Sequence, residues 1–286
     1  MKRTLLIFAF LTAAFSVSAQ KSARSEYDFA LYLLGGNLMA DAVEWADGAE
    51  STAEYSPAAA DTLNYTRGWV YYMVRRFDSA AEAFGKVSAA SSFYPKSTFY
   101  GAVCHVELGR AETARELLDS FDDKDGRYAE LLAFEKAGVA LLQGRSADFD
   151  ALKTRFTYDS FALSEQEKLL TAIASSKPKR LSPWIAGAAS AVVPGLGKIY
   201  AGNVGEGIAS FLIVGALAGI TAESWVKAGT PLNWRTILYG SACTVLYISN
   251  IFGSAASVRV YYEQFNENRS RAVMYGIHIP LRAIFD

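Results

Sequence analysis

Two long stretches without charge limit what this chain can become. Residues 207–226 carry a single charged side chain, Glu223, and residues 236–258 carry none. A helix needs about 20 predominantly apolar residues to cross the hydrocarbon of a bilayer, and both stretches meet that length. The nine residues between them, 227–235, hold Pro231 with Lys227 and Arg235, enough for a tight connection. A transmembrane helical hairpin is therefore expected. Its small residues lie in ladders, Gly215 with Gly219 in the first span and Ser249, Gly253 and Ser257 in the second. Close approach of small residues drives helix association in lipid, within one hairpin or in a homo-oligomer. Asn250 is expected to hydrogen-bond across the helix pair.

The rest of the chain is a different material. Residues 20–176 hold 24 acidic and 16 basic side chains, whereas residues 177–286 hold 5 acidic and 10 basic ones and 12 of the 22 glycines. An acidic, polar half and an apolar, Gly-rich half imply two separate parts. The balance over the whole chain is −1, which leaves no global electrostatic case for nucleic acid. With 51% apolar residues the chain is not a disordered one.

The N-terminus reads as an address. Met1, Lys2 and Arg3 form a basic start, residues 4–17 are uncharged and apolar, and Val17, Ser18 and Ala19 provide small residues before Gln20. That is the pattern of a secretory signal peptide over residues 1–19. No cysteine follows the apolar run, so a lipoprotein anchor is not expected. Cys104 and Cys243 are the two cysteines and fall in different halves, so no disulfide framework is expected.

Residues 26–176 repeat themselves. Gly68, Tyr71, Ala80 and Phe84 align without gaps on Gly101, Cys104, Thr113 and Leu117 at an offset of 33 residues. Each copy reads as a helix, a short turn at Arg75-Arg76 or Leu108-Gly109, and a second helix. On those residues the units resemble tetratricopeptide repeats (TPR). A looser first copy covers 29–46, with Leu33, Leu34, Gly36-Asn37, Ala42 and Trp45. A fourth covers 128–152, where Gly144-Arg145 echoes Gly109-Arg110 and Lys136 replaces the small residue. Ser56-Pro57 fits an N-cap followed by proline in the first turn. Ser164 with Glu167 fits a capping box that opens a polar terminal helix, stopped by Lys177-Pro178. The resemblance implies an all-α solenoid that binds a protein or peptide in a groove lined by its first helices. Its groove positions correspond here to Tyr65, Trp69 and Tyr72 from one unit and Thr98, Ala102 and His105 from the next. Tyr71, Phe84 and Leu117 are expected in the core.

Residues 181–265 carry a second resemblance. Pro194, Gly195, Gly197, Tyr200 and Gly202 match a PGxGxxYxG signature that opens small two-helix membrane domains found in bacteria, often beside helical repeats. Pro194 interrupts a helix and the glycines permit a turn, giving a re-entrant or interfacial segment or a third, broken span. A cleaved signal places the repeats outside, with Lys177, Lys179 and Arg180, against the positive-inside rule. Three spans would return Arg259, Arg269, Arg271 and Arg282 of the basic tail (266–286) to the cytoplasm; two would leave the tail outside. Charge favours three crossings and the broken helix favours two.

Chemistry is poorly represented. Gly197-Lys198 lacks the preceding glycine and following Ser/Thr of a phosphate loop, having Val192 and Ile199 at those places. His105 and His278 are the two histidines, and no metal-ligand spacing occurs. Glu206 near Lys198 and Tyr200 is the remaining polar candidate. The sequence thus points to a non-enzymatic scaffold without cofactor or metal. It would lie in the membrane of a bacterial cell envelope, lipid-bound through the hairpin and partner-bound through exported repeats. A membrane-embedded channel, transporter or insertion-factor subunit assembled by its repeats is the alternative.

Overall fold

The structure is a computed structural model that describes residues 23–49 and 55–285. Residues 1–19, expected to be a signal peptide, lie outside the described residues. Among the described residues the chain forms thirteen helices and no strand. It divides into two units, the first running to Ala174 and resuming at Val273, the second comprising Ser175–Ala272.

In the first unit, helices come in pairs: α1 (Ala23–Gly35) with α2 (Met39–Gly48), α3 (Pro57–Met73) with α4 (Phe77–Gly85), α5 (Tyr94–Glu107) with α6 (Ala111–Asp119), and α7 (Ala129–Leu142) with α8 (Ser146–Lys153). One turn chemistry joins all four. Asn37, Arg75, Gly109 and Gly144 each sit at positive φ, between 58° and 72°. The next residue's N–H then reaches a carbonyl five positions back, as from Arg76 to Tyr71, Arg110 to His105 and Arg145 to Ala140, each at 2.8 Å. This Schellman arrangement satisfies the orphan carbonyls of each first helix and reverses the chain.

The structure moves the repeat register by one residue after the first helix. Buried Ala80, Phe84 and Val87 of the α4 region correspond to buried Ala114, Leu118 and Phe121, an offset of 34. The expected core residue Leu117 is half-buried, and Leu118 takes the fully buried position. The turn itself is the reason, because Arg75 and Gly109 are also 34 apart. In the fourth pair Lys136 is not at the small position; it pairs with Asp119 at 2.9 Å, while Ala137 is fully buried beside it. At Gly68 the two helices of a pair pack closely, since a Cβ there would lie 2.5 Å from the Phe84 ring. The Ser56 hydroxyl accepts from the Ala59 N–H at 3.4 Å with Pro57 in the first turn, as the sequence suggests.

A polar helix, α9 (Ser164–Ser175), follows. Its capping box does not form. The Ser164 N–H goes to the Ser160 carbonyl at 2.9 Å, and the Glu167 carboxylate instead accepts from the Tyr158 N–H at 2.9 Å.

The second unit contains α10 (Pro183–Val192), α11 (Leu196–Tyr200), α12 (Val204–Ala228) and most of α13 (Trp234–Phe285). Helices α12 and α13 are long and apolar enough to cross a membrane. Helix α13 does not end where its apolar run ends. It continues unbroken for 52 residues, and its final part, from Val273, belongs to the first unit.

Candidate functional site

The first helices of successive pairs present an aromatic face. On α3, Tyr65, Trp69 and Tyr72 follow at spacings of four and three and therefore share one side of the helix. Tyr65 stacks on Phe93 at 4.4 Å between ring centroids, Trp69 meets Tyr72 at 5.6 Å, and both Trp69 and Tyr72 meet the Tyr100 ring edge-on at 5.0 and 4.9 Å. The Lys96 ammonium lies over Trp69, 4.9 Å from its centroid. Such contacts hold each ring in one orientation and fill the space between α3 and α5. Tyr65 and Tyr72 are buried and Trp69 is half-buried.

From α5, Thr98 and Ala102 are buried, and Thr98 returns its hydroxyl to the Tyr94 carbonyl at 2.9 Å. His105 is half-buried and its Nδ1 has no hydrogen-bond partner. Burial, with the Arg110 guanidinium nearby, holds the His105 imidazole below its ordinary pKa. All six residues that the sequence assigns to a groove thus fall on two adjacent first helices, and their side chains are largely covered.

Part of the cover is the chain's own C-terminus. Val273, Ile277 and Leu281 recur every four residues, are at most 1% exposed, and join the core of the first unit. Ile277 lies against α7, where a Cβ on Gly138 would come within 2.4 Å of its Cγ2. His278 stacks on Tyr72 of α3 at 5.4 Å and hydrogen-bonds its hydroxyl. Phe285 meets Phe99 of α5 at 5.8 Å and Tyr128, at the start of α7, at 5.6 Å; its carbonyl accepts from Lys96 at 3.3 Å. Gly276 rests beside Gln166 and Leu169 of α9. The segment expected to be a basic tail is therefore an amphipathic helix end laid across α3, α5, α7 and α9.

Electrostatics keep this contact neutral. Burial, reinforced by Arg282 and Arg75, lowers the His278 pKa, and burial raises that of Tyr72. Burial also pushes the Cys104 thiol up to about 12, which leaves it a protonated apolar group. Glu135 on α7 is fully buried with no partner for Oε1, and its carboxyl is held well above the usual range by burial alone. Among the described residues, no three His, Cys, Asp or Glu side chains gather as a metal set.

In the second unit the PGxGxxYxG residues make a close-packed node. Gly195 adopts φ 87°, and a Cβ on it would stand 2.0 Å from the Gly207 carbonyl oxygen. A Cβ on Gly197 would stand 1.9 Å from the Ala186 carbonyl oxygen, while the Gly197 N–H donates to Ser190 Oγ at 2.8 Å. Ser190 Oγ in turn pairs with Ser254 Oγ of α13 at 2.7 Å. The Tyr200 hydroxyl accepts from the Ser182 N–H at 3.2 Å, Gly202 turns the chain at φ 96°, and half-buried Pro194 occupies the break between α10 and α11. Lys198 reaches Glu206 at 3.8 Å, a loose ion pair.

Gly215 and Gly219 are exposed, with no atom within 4 Å of where a Cβ would be. Ser249 is exposed as well; Ser257 is buried but bonds its own helix at the Gly253 carbonyl, and Gly253 lies near the Lys198 stem. Asn250 is buried, yet neither amide atom has a hydrogen-bond partner, so it does not tie the helix pair together. Ser254, and Tyr247 whose hydroxyl donates to the Ala191 carbonyl, join α13 to α10, whereas α12 meets α13 at Cys243, whose thiol donates to the Val214 carbonyl at 3.8 Å.

Sequence reasoning missed Lys96, Phe99, Tyr100, Tyr128, Gly138 and the whole C-terminal helix end. A signal was present for the last, since Val273, Ile277, Leu281 and Phe285 keep a spacing of four. Comparison with family models, curated proteins and solved structures returns no match to this chain.

Proposed function

We propose that this chain is a non-enzymatic, membrane-anchored scaffold of the bacterial cell envelope whose TPR-like groove grips an amphipathic helix. One observation carries the reading: an apolar stripe with a period of four, Val273, Ile277, Leu281 and Phe285, is seated on the faces of α3, α5 and α7. A groove that holds this helix has the shape and chemistry for a partner helix of the same pattern. The partner then exchanges with the resident helix. Each fully buried aliphatic side chain is worth about 1.5–3 kcal/mol, and a tethered competitor acts at roughly millimolar effective concentration. Partner binding is therefore demanding and selective. The anchor is the pair of long apolar helices, and the envelope location follows from the signal-like N-terminus.

The test is a crosslinked, detergent-solubilised pull-down with three proteins. Ile277→Asp/Leu281→Asp, which loosens the resident helix, should recover a helical partner in greater yield than wild type. Adding Tyr65→Ala/Trp69→Ala/Tyr72→Ala should abolish that recovery while helicity and membrane retention persist. Identical recovery by all three defeats groove capture. It would move attention to the alternative of a membrane-embedded activity, which the unpartnered buried amide of Asn250 favours.

A further inference from the structure

We infer that residues 175–272 cross the membrane twice, so that the C-terminal end of α13 lies on the same side as the helix pairs and the loop at 229–233 lies on the opposite side. This rests on the membrane reading above but not on groove capture.

Connectivity makes the first part of the argument. The chain leaves the first unit at Ala174 and re-enters it at Val273. Val273, Ile277 and Leu281 are buried in the same core as Phe99, Tyr100 and Phe134. A folded body with one such core sits on one side of a bilayer. Its exterior carries water-facing ion pairs such as Arg76–Asp47, Lys86–Glu82 and Arg115–Asp119. Whatever leaves that body and returns to it crosses an even number of times.

Helix lengths then fix the number. The 25 residues of α12 reach about 37 Å at about 1.5 Å per residue, beyond the roughly 30 Å of hydrocarbon. On α13 the uncharged stretch ends at Val258. From there Arg259, Glu263, Glu267, Arg269 and Arg271 put a charge on every turn, which confines the crossing to the part before them. Helix α10 has ten residues, about 15 Å, and is followed by the left-handed break at Gly195, so it is too short to cross. The third span that charge alone favours is thereby excluded, because an odd number would separate Val273 from its core.

Interfacial aromatic residues agree. Trp225 and Trp234 flank the loop and are 53% and 65% exposed, as rings at one bilayer surface are. At the other end of the crossing, the Tyr261 and Tyr262 hydroxyls accept from the Lys179 and Leu181 N–H groups, both at 2.9 Å. Lys227 and Arg235 thus share the loop side.

The test uses the full chain in sealed membranes. Cys104 and Cys243 are replaced, and single cysteines are placed at the exposed positions Ala90→Cys, Thr230→Cys and Asn268→Cys. A membrane-impermeant maleimide is applied before and after the membrane is opened. Ala90→Cys and Asn268→Cys should label together from one side, and Thr230→Cys from the other. Asn268→Cys labelling with Thr230→Cys, or all three labelling from one side in a protein that resists carbonate extraction, overturns the two-crossing arrangement alone. Release of the protein by carbonate overturns it together with the membrane reading.

Discussion

The Tyr72 hydroxyl hydrogen-bonds Nε2 of His278, 206 residues further along the chain, and the two rings stack at 5.4 Å. His278 faces Tyr72 and lies near Arg75 of the α3–α4 turn and Arg282 of its own helix. Two guanidinium groups in that set oppose a third positive charge on His278.

Acid should therefore loosen the helix end. Burial, then Arg282 and Arg75, depress the docked His278 pKa below the ordinary 6.5, so the undocked state binds the proton more readily. Stability from this contact is fully present above about pH 6.5 and declines as pH falls toward the docked value. Amide hydrogen exchange over 273–285 should accelerate on acidification beyond its intrinsic pH dependence. His278→Gln should flatten that excess, and an unchanged profile would remove His278 as its source.

Gly138 and Ile277 should behave as one unit. A Cβ on Gly138 would lie 2.4 Å from Ile277 Cγ2, a methyl held by a branched Cβ with little rotamer freedom in a helix. Gly138→Ala is expected to cost about 1–3 kcal/mol by overpacking, and Ile277→Ala about 2–5 kcal/mol by leaving a cavity. Together they should cost less than their sum, because the new methyl enters the vacated space. Denaturant melts of the four proteins check this, and strict additivity would show that the two positions do not meet.

Glu167 gives a dependence of opposite direction. Burial, opposed by the Tyr158 N–H and reinforced by Glu130, raises its pKa from 4.5 to about 7. The folded state then holds a proton that the unfolded chain has already lost, so stability falls as pH rises from about 4.5 through 7. Glu167→Gln should remove that decline, gaining on the order of 1–3 kcal/mol relative to wild type above pH 8. Thermal melts across pH 4–9 measure it.

The glycines of the second unit should fall into three classes. Gly195→Ala and Gly197→Ala bring a methyl within 2.0 and 1.9 Å of backbone oxygens, which cannot rotate away, and should cost more than about 3 kcal/mol. Gly202→Ala meets only its left-handed φ of 96° in open space and should cost about 1–2 kcal/mol. Gly215→Ala and Gly219→Ala touch nothing and should change stability by under about 0.5 kcal/mol. Thermal aggregation in detergent ranks them; sensitivity at Gly215 or Gly219 would mean those faces are covered in the membrane.

Local chemistry was legible wherever a few neighbouring residues settle the outcome. Ser56-Pro57 starts α3, Gly109 and Gly144 end first helices at positive φ, Pro194 stands where α10 gives way to α11, and Lys177-Pro178 follows the end of α9. The two apolar stretches form helices, which satisfy their backbone groups within the segment itself. The resemblance to tetratricopeptide repeats pointed to Tyr65, Trp69 and Tyr72, and their spacings of four and three put them on one helix face.

The remainder depended on distant partners. A gapless 33-residue alignment put Leu117 in the core, yet one extra residue before the Gly109 turn rotates the following helix and buries Leu118 instead. Gly215 and Gly219 form a pattern that only a facing helix can use, and within this chain no atom comes within 4 Å of a Cβ built at either. Asn250 had a span to occupy but no partner to meet.

By itself the sequence determined that this chain is helical, where its turns fall, and which two stretches are long and apolar enough to cross a membrane, because backbone satisfaction and hydrophobic periodicity act within a turn or two of helix. Tertiary structure alone decided that Val273, Ile277, Leu281 and Phe285 do not end as a tail but complete the first unit's core. The period of four says that this segment must bury one face. Which surface it buries depends on complementary shapes at Gly138, Tyr72 and Phe99, more than a hundred residues away in sequence, and those shapes exist only once the helix pairs have packed.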